Sequence, residues 1–210
     1  CGTIEHGSYW DDECTELAKE KGALLVPTRW ILMMLKQMVG DRKIGDDPTG
    51  TNLTQSSLNK AISVYESHTN AIKLAIASGV TIATGCDLFI GKEYGYNGAE
   101  LKYLVELGFT PLQAIEAATA NGPLTLGHKF VQLRGIKSGQ LHPGYDADII
   151  ALAEGNPVDD ISVLANPKAI TYVWKGGTLV KGKPLAGSPE LYMDDASKRA
   201  GRAYAYWDQA

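Results

Sequence analysis

Val80-Thr81-Ile82-Ala83-Thr84-Gly85-Cys86-Asp87 is the stretch from which the rest of the chain can be read. β-Branched and small residues alternate over its first five positions, which predicts a short buried strand. Gly85 lets the backbone turn and leaves Asp87 at the strand's end. A carboxylate at the C-terminal tip of a parallel strand stands where α/β barrels keep their reacting groups. Thr3-Ile4-Glu5-His6-Gly7 repeats the arrangement at the start of the chain, with an imidazole, His6, at the tip. Between the two, Ala23-Leu24-Leu25-Val26 is a continuous apolar run ended by Pro27, the pattern of a strand buried on both faces.

The segments joining these strands read as helices. Asp11 or Asp12 can cap a helix running through Lys21, with Leu17 and Ala18 facing inward and Gly22 ending it. Residues 30–39, rich in Met and Leu, predict a second helix used for packing. Residues 40–54 carry few apolar side chains and read as an exposed insertion. Ser56 or Ser57 can open a long helix reaching Ser78. Ile62, Tyr65, Thr69, Ile72 and Ile76 recur along it at spacings of three and four, and Gly79 follows at a left-handed position. His68 lies on this helix as a packed or surface residue. Residues 88–97, with two tyrosines, are suited to roof a pocket. A short helix over 99–107 follows, closed by Gly108. Thr110-Pro111-Leu112-Gln113 is then a capping box with proline in the first turn, opening a helix to Ala120. After Gly127 helical periodicity gives way to apolar runs at 136–141, 147–152, 169–174 and 178–181, read as antiparallel strands. Lys175-Gly176-Gly177 supplies a hairpin turn.

The expected organisation is therefore 1–130 as part of a barrel, 131–187 as β-sandwich strands and 188–210 as a tail. A complete (β/α)₈ barrel takes about 250 residues. Three strand–helix units are countable here, so the α/β fold expected is the last three units of a TIM barrel followed by a small β-sandwich portion. The first residue is Cys1 and the chain opens inside an apolar strand. It is expected to be the C-terminal part of a longer protein.

The totals exclude several function classes. A net charge of −4 with evenly spread Lys and Arg gives no footprint for nucleic acid. No apolar run approaches the roughly 18 to 20 residues needed to span a bilayer, so no membrane partner is expected. The three cysteines show no CxxC spacing, which predicts free thiols rather than a disulfide scaffold or zinc finger. An imidazole and a carboxylate at strand tips suit Zn²⁺ and other divalent ions. From spacing alone, His6 and Asp87 fit structural roles as well as ligation. Two ligands do not make a catalytic zinc site, which takes at least three from protein.

Several motifs in order resemble the C-terminal half of the metal-dependent amidohydrolase superfamily. They are Ile4-Glu5-His6-Gly7, the strand ending at Asp87, residues 107–121, Gly139-Gln140-Leu141, residues 144–152, Asn156-Pro157, Asp159-Asp160-Ile161 and Val173-Trp174-Lys175-Gly176-Gly177. Within it they are most similar to the branch of imidazolonepropionase-like enzymes, zinc carboxypeptidases, Xaa-Pro-type dipeptidases and ochratoxinase. The resemblance implies a two-metal zinc site, with His6 and Asp87 as the metal ligands in this chain. The remaining ligands, a His-x-His pair, a carboxylated lysine and another histidine, would lie in the missing N-terminal half. It also implies hydrolysis of an amide or peptide-like C–N bond by metal-activated water in a small-molecule or peptide substrate, in the manner of a carboxypeptidase or dipeptidase. Asp87 would be the catalytic group, taking the proton of the attacking water and passing it to the leaving amine. Cyclic-amide hydrolysis or deamination on the same scaffold is the alternative, as is a non-catalytic fragment or subunit. The isolated chain is expected to be inactive, and a homo-oligomer is left open. One departure is plain: many relatives carry His-Gly-x-Glu after the eighth strand, where this chain has Asn97-Gly98-Ala99-Glu100.

Overall fold

A computed structural model of the chain describes residues 2–40, 54–88 and 94–183. Residues 41–53 of the insertion expected over 40–54, the tail over 188–210 and Cys1 lie outside the described residues.

Three short parallel segments form the centre. β1 (Thr3–Glu5) pairs with β2 (Leu24–Val26), Thr3 opposite Leu24 and Glu5 opposite Val26. On the other side of β2, Leu25 bridges Ile82 in parallel; its N–H donates to the Thr81 carbonyl and its carbonyl accepts from Ala83 N–H, both at 3.0 Å. Residues 80–84 form one bridge rather than the full strand the sequence predicts. Two of their other backbone groups are taken elsewhere: Thr84 N–H donates to the Ala117 carbonyl at 3.1 Å, and the Asn121 amide donates to the Ile82 carbonyl at 2.9 Å. Leu24 and Leu25 are buried completely, as a strand covered on both faces requires.

α1 (Asp12–Lys21) is capped by the Asp11 carboxylate, which accepts from Cys14 N–H at 2.9 Å, and ends at Gly22 with φ 64°. Ala18 faces the core as expected, whereas Leu17 is half exposed. The inward partner of Ala18 is Thr15, whose hydroxyl accepts from the Trp10 indole. α2 (Arg29–Gly40) and α3 (Gln55–Ala77, capped by Thr54) follow β2. The buried face of α3 is offset from the predicted stripe: it runs through Ala61, His68, Ala71, Ile72 and Ala75, while Ile62 is 43% exposed. Alanines make that face flat enough to pack close to Leu25 and Ile82. α4 (Ala99–Glu106) and α5 (Pro111–Ala118) come next, the latter with both hydrogen bonds of its capping box in place.

α6 (His128–Arg134), closed by Gly135 at φ 61°, was not expected. Residues 136–141 do not form the predicted strand. This segment crosses the end of α5 so closely that a Cβ at Gly139 would stand 2.2 Å from the Thr119 carbonyl oxygen. β3 (Ile149–Leu152), β4 (Ile170–Lys175) and β5 (Thr178–Lys181) make one antiparallel sheet in the order 3-4-5. Gly176 and Gly177, at φ 54° and 80°, supply the two left-handed residues of the β4–β5 hairpin. The 3₁₀ turn Ile161–Ala165 between β3 and β4 packs on α4, and Ile161 is buried in the same core as Leu25 and Leu104. The antiparallel sheet is thus tied to the helical layer through its own connection.

Candidate active site

Three non-glycine residues among those described have positive φ: His6 at 65°, Thr28 at 51° and Asp87 at 49°. Each lies just beyond the C-terminal end of one of the three parallel segments. His and Asp tolerate this region; a β-branched threonine there is a genuine outlier. Such strain persists where surrounding contacts over-determine it, and it concentrates at functional sites.

The contacts are specific. His6 N–H donates to the Val26 carbonyl at 2.8 Å, extending the β1–β2 pairing to the strand tip. The His6 Nδ1 atom lies 2.7 Å from the hydroxyl of buried Thr28. Thr28 in turn borders Gly85: a Cβ at Gly85 would come 3.6 Å from Thr28 Cγ2 and 2.6 Å from Val26 Cγ1. The tips carrying His6, Thr28 and Asp87 are therefore contiguous at one end of the sheet. Neighbouring strands stand about 4.8 Å apart, so the outer two segments are separated by about 10 Å of backbone.

The donor chemistry at this end fits a divalent metal. Thr28 occupies Nδ1 of His6, which is exposed, and leaves Nε2 as the ring's remaining nitrogen, the pattern by which a second residue orients a ligating histidine. Asp87 is exposed, and its carboxylate has no hydrogen bond among the described residues. An imidazole nitrogen and a carboxylate oxygen are two ligands. No group of three or more His, Cys, Asp or Glu that could hold a metal occurs among the described residues.

Behind Thr28 lies a buried polar network that sequence reasoning missed. Glu100, fully buried on α4, accepts from the backbone N–H groups of Arg29 at 2.8 Å and Trp30 at 2.6 Å. It caps α2 from outside, satisfying two of the donors that every helix start leaves open. Burial pushes Glu100 up to about 7, and the two backbone hydrogen bonds pull the other way. His68, 2% exposed on α3, meets the Pro27 carbonyl through Nε2 at 2.9 Å and the Arg29 guanidinium through Nδ1 at 3.2 Å. A carbonyl can only accept and a guanidinium can only donate, so His68 is neutral with its proton on Nε2. The Arg29 guanidinium also lies 4.2 Å from the centroid of the Tyr65 ring.

Burial holds the His68 ring down at about 4, with Arg29 and His6 adding to the effect. The unfolded chain titrates near 6.5 and so binds more protons between these values. The stability contributed by neutral His68 is complete above pH 6.5 and is lost as pH falls through about 4, on the order of 3 kcal/mol. Urea denaturation of His68→Gln should therefore show a smaller drop in stability from pH 7 to pH 4 than the parent. Identical drops would contradict this account.

Beside the Asp87 tip a cavity of about 440 Å³ is bordered by Thr84, Gly85, Cys86, Leu88 and Tyr94, among others. Tyr94 places part of the expected roof there; residues 89–93 lie outside the described residues. Cys86 is a packed thiol: burial pushes it up to about 12 and its Sγ donates to the Asn97 carbonyl at 3.3 Å. Cys14 and Cys86 are both free.

Residues 2–180 match the amidohydrolase family over most of this fold. The chain belongs to the amidohydrolase family. Ochratoxinase from Aspergillus niger is 44% identical over 183 residues, which is 87% of this chain and 34% of that relative. The crystal structure of A. niger ochratoxinase superposes with a TM-score of 0.70 at 41% identity, covering 91% of this chain and 40% of that one. A Xaa-Pro dipeptidase, solved with methionine in its active site, gives 0.68 at 32% identity, covering 86% and 40%. This amidohydrolase chain thus spans about a third of the length of the curated relative it matches.

Thr28 left no signal in the sequence beyond following Pro27. Glu100 enters the sequence reading only as the last residue of Asn97-Gly98-Ala99-Glu100, and nothing there points to its capping of α2.

Proposed function

We propose that this chain carries one side of a binuclear metal centre that hydrolyses an amide or peptide-like C–N bond, with His6 and Asp87 as its metal ligands and Asp87 as its catalytic carboxylate. The observation that carries the reading is the clustering of His6, Thr28 and Asp87 in left-handed conformations at three adjacent strand tips. A zinc or similar ion bound there would supply Lewis acidity to the amide carbonyl and acidify a bound water. His6, held at Nδ1 by Thr28, presents Nε2 in a fixed direction. Asp87 takes a proton from water on one side of the scissile bond and delivers it to the amine nitrogen as that nitrogen leaves. The cavity beside Gly85 and Cys86 is the place for the substrate's acyl or amine side chain. Residues 1–130 would form the last three strand–helix units of a TIM barrel, and 131–187 a share of a β-sandwich. The ligands needed besides these two come from polypeptide outside this sequence.

A Xaa-Pro dipeptidase among the solved relatives favours dipeptides, Xaa-Pro included, as substrates. The test is metal analysis together with hydrolysis of these compounds, by the full-length protein and by this chain alone. Full-length protein is expected to hold two divalent ions and to lose activity on chelation. The isolated chain is expected to bind metal weakly and to hydrolyse nothing. Full activity in chelator-treated, metal-free protein would rule the reading out.

A further inference from the structure

Thr28 is braced from both sides by residues whose hydrogen bonds, among the described residues, go to neither His6 nor Asp87. On its C-terminal side, Glu100 holds the N–H groups of Arg29 and Trp30. On its N-terminal side, His68 holds the Pro27 carbonyl, and through its other ring nitrogen it holds the Arg29 side chain. Both braces are buried, at 0% and 2% exposure, and both come from elements distant in sequence. Between them they fix the peptide groups on either side of a β-branched residue held at positive φ. That conformation aims the Thr28 hydroxyl at His6 Nδ1.

The geometry points to Glu100 and His68 as positioning residues for His6, acting through Thr28. They hold a strained backbone in place, and the strained backbone orients the imidazole. This rests on the reading of His6 as a metal ligand. It goes beyond that reading by assigning the orientation of His6 to two residues that bond to the peptide groups flanking Thr28 rather than to His6 itself. Glu100→Gln keeps the volume and one acceptor oxygen but turns an amide N–H₂ toward one of the two backbone donors. His68→Gln can still donate to Pro27 but releases Arg29. Either change frees Thr28 to relax toward ordinary φ and lets the His6 ring rotate.

The test uses the full-length protein with Zn²⁺ alone as the probe. Zn²⁺ affinity is measured by chelator competition, and the state of the His6 ring by its ¹⁵N resonances in metal-free protein. Each variant that folds is expected to lose 10- to 100-fold in Zn²⁺ affinity, the usual range for partners behind a metal ligand, and to shift the His6 ring signals. Thr28→Val is expected to do the same. The decisive comparison combines the two: with Thr28 already Val, Glu100→Gln or His68→Gln should cost little more affinity, because both act through the lost hydroxyl. Independent losses that multiply in the double variant would overturn the proposal. So would lowered thermal stability with unchanged Zn²⁺ affinity and unchanged His6 resonances. Failure of the parent protein to bind Zn²⁺ would instead remove the metal reading itself, and the ring resonances would still report whether Glu100 and His68 orient His6.

Discussion

Asp87→Asn is expected to reduce kcat/KM of the full-length protein by roughly 10⁴-fold, the upper end of what one general acid–base group contributes, while leaving it folded. The substitution is nearly isosteric. Asn adopts positive φ as readily as Asp, so the φ of 49° is no obstacle. The Asp87 carboxylate is exposed and makes no hydrogen bond among the described residues, so the fold loses no internal partner. What disappears is the negative charge and the site that accepts and returns a proton. Steady-state kinetics beside a thermal melt checks both halves. An Asn variant that turns over normally would remove Asp87 from the chemistry.

The second large effect concerns stability. Gly98→Ala is expected to destabilise the protein by about 3 kcal/mol or more, at or beyond the usual range for overpacking. Gly98 has ordinary helical dihedrals, φ −62° and ψ −15°, so alanine brings no backbone strain. The cost is space: a Cβ there would lie 2.0 Å from the Leu164 carbonyl oxygen and 2.7 Å from its carbon. Those are backbone atoms of the turn that docks the antiparallel sheet on α4, and they cannot swing aside as a side chain would. Gly122→Ala is the control, since its Cβ would meet nothing within 4 Å and its φ is not positive. Urea denaturation of the two variants should separate them clearly; equal midpoints would mean that the close approach at Gly98 is not energetically important.

Local signals carried most of the fold that the sequence could convey. The Asp11 and Thr110 caps, the stops at Gly22 and Gly79 and the Gly176-Gly177 turn each depend on residues within one turn or hairpin, and all are present. Expectations went astray where a distant backbone intruded. Residues 136–141 have strand-like apolar character but are used to cross α5 at Gly139. The face of α3 was misread because alanines and a histidine, rather than the larger isoleucines, make its closest contacts. His6 and Asp87 were legible as tip residues because polar groups interrupt apolar runs there. Thr28, His68 and Glu100 were not, because their significance lies in hydrogen bonds to partners 22 to 71 positions away.

Those separations bear on the order in which the molecule assembles. The carboxylate of Glu100 must find the first turn of α2 across 71 positions of chain, whereas the β4–β5 hairpin closes over two residues. Hairpins form in about 1–10 μs, and long loops carry a larger entropic cost to close. On that ground the turn around Thr28 is expected to take its strained shape after the hairpin has closed, so the end of the sheet that carries His6 and Asp87 is the part whose geometry waits longest on distant chain.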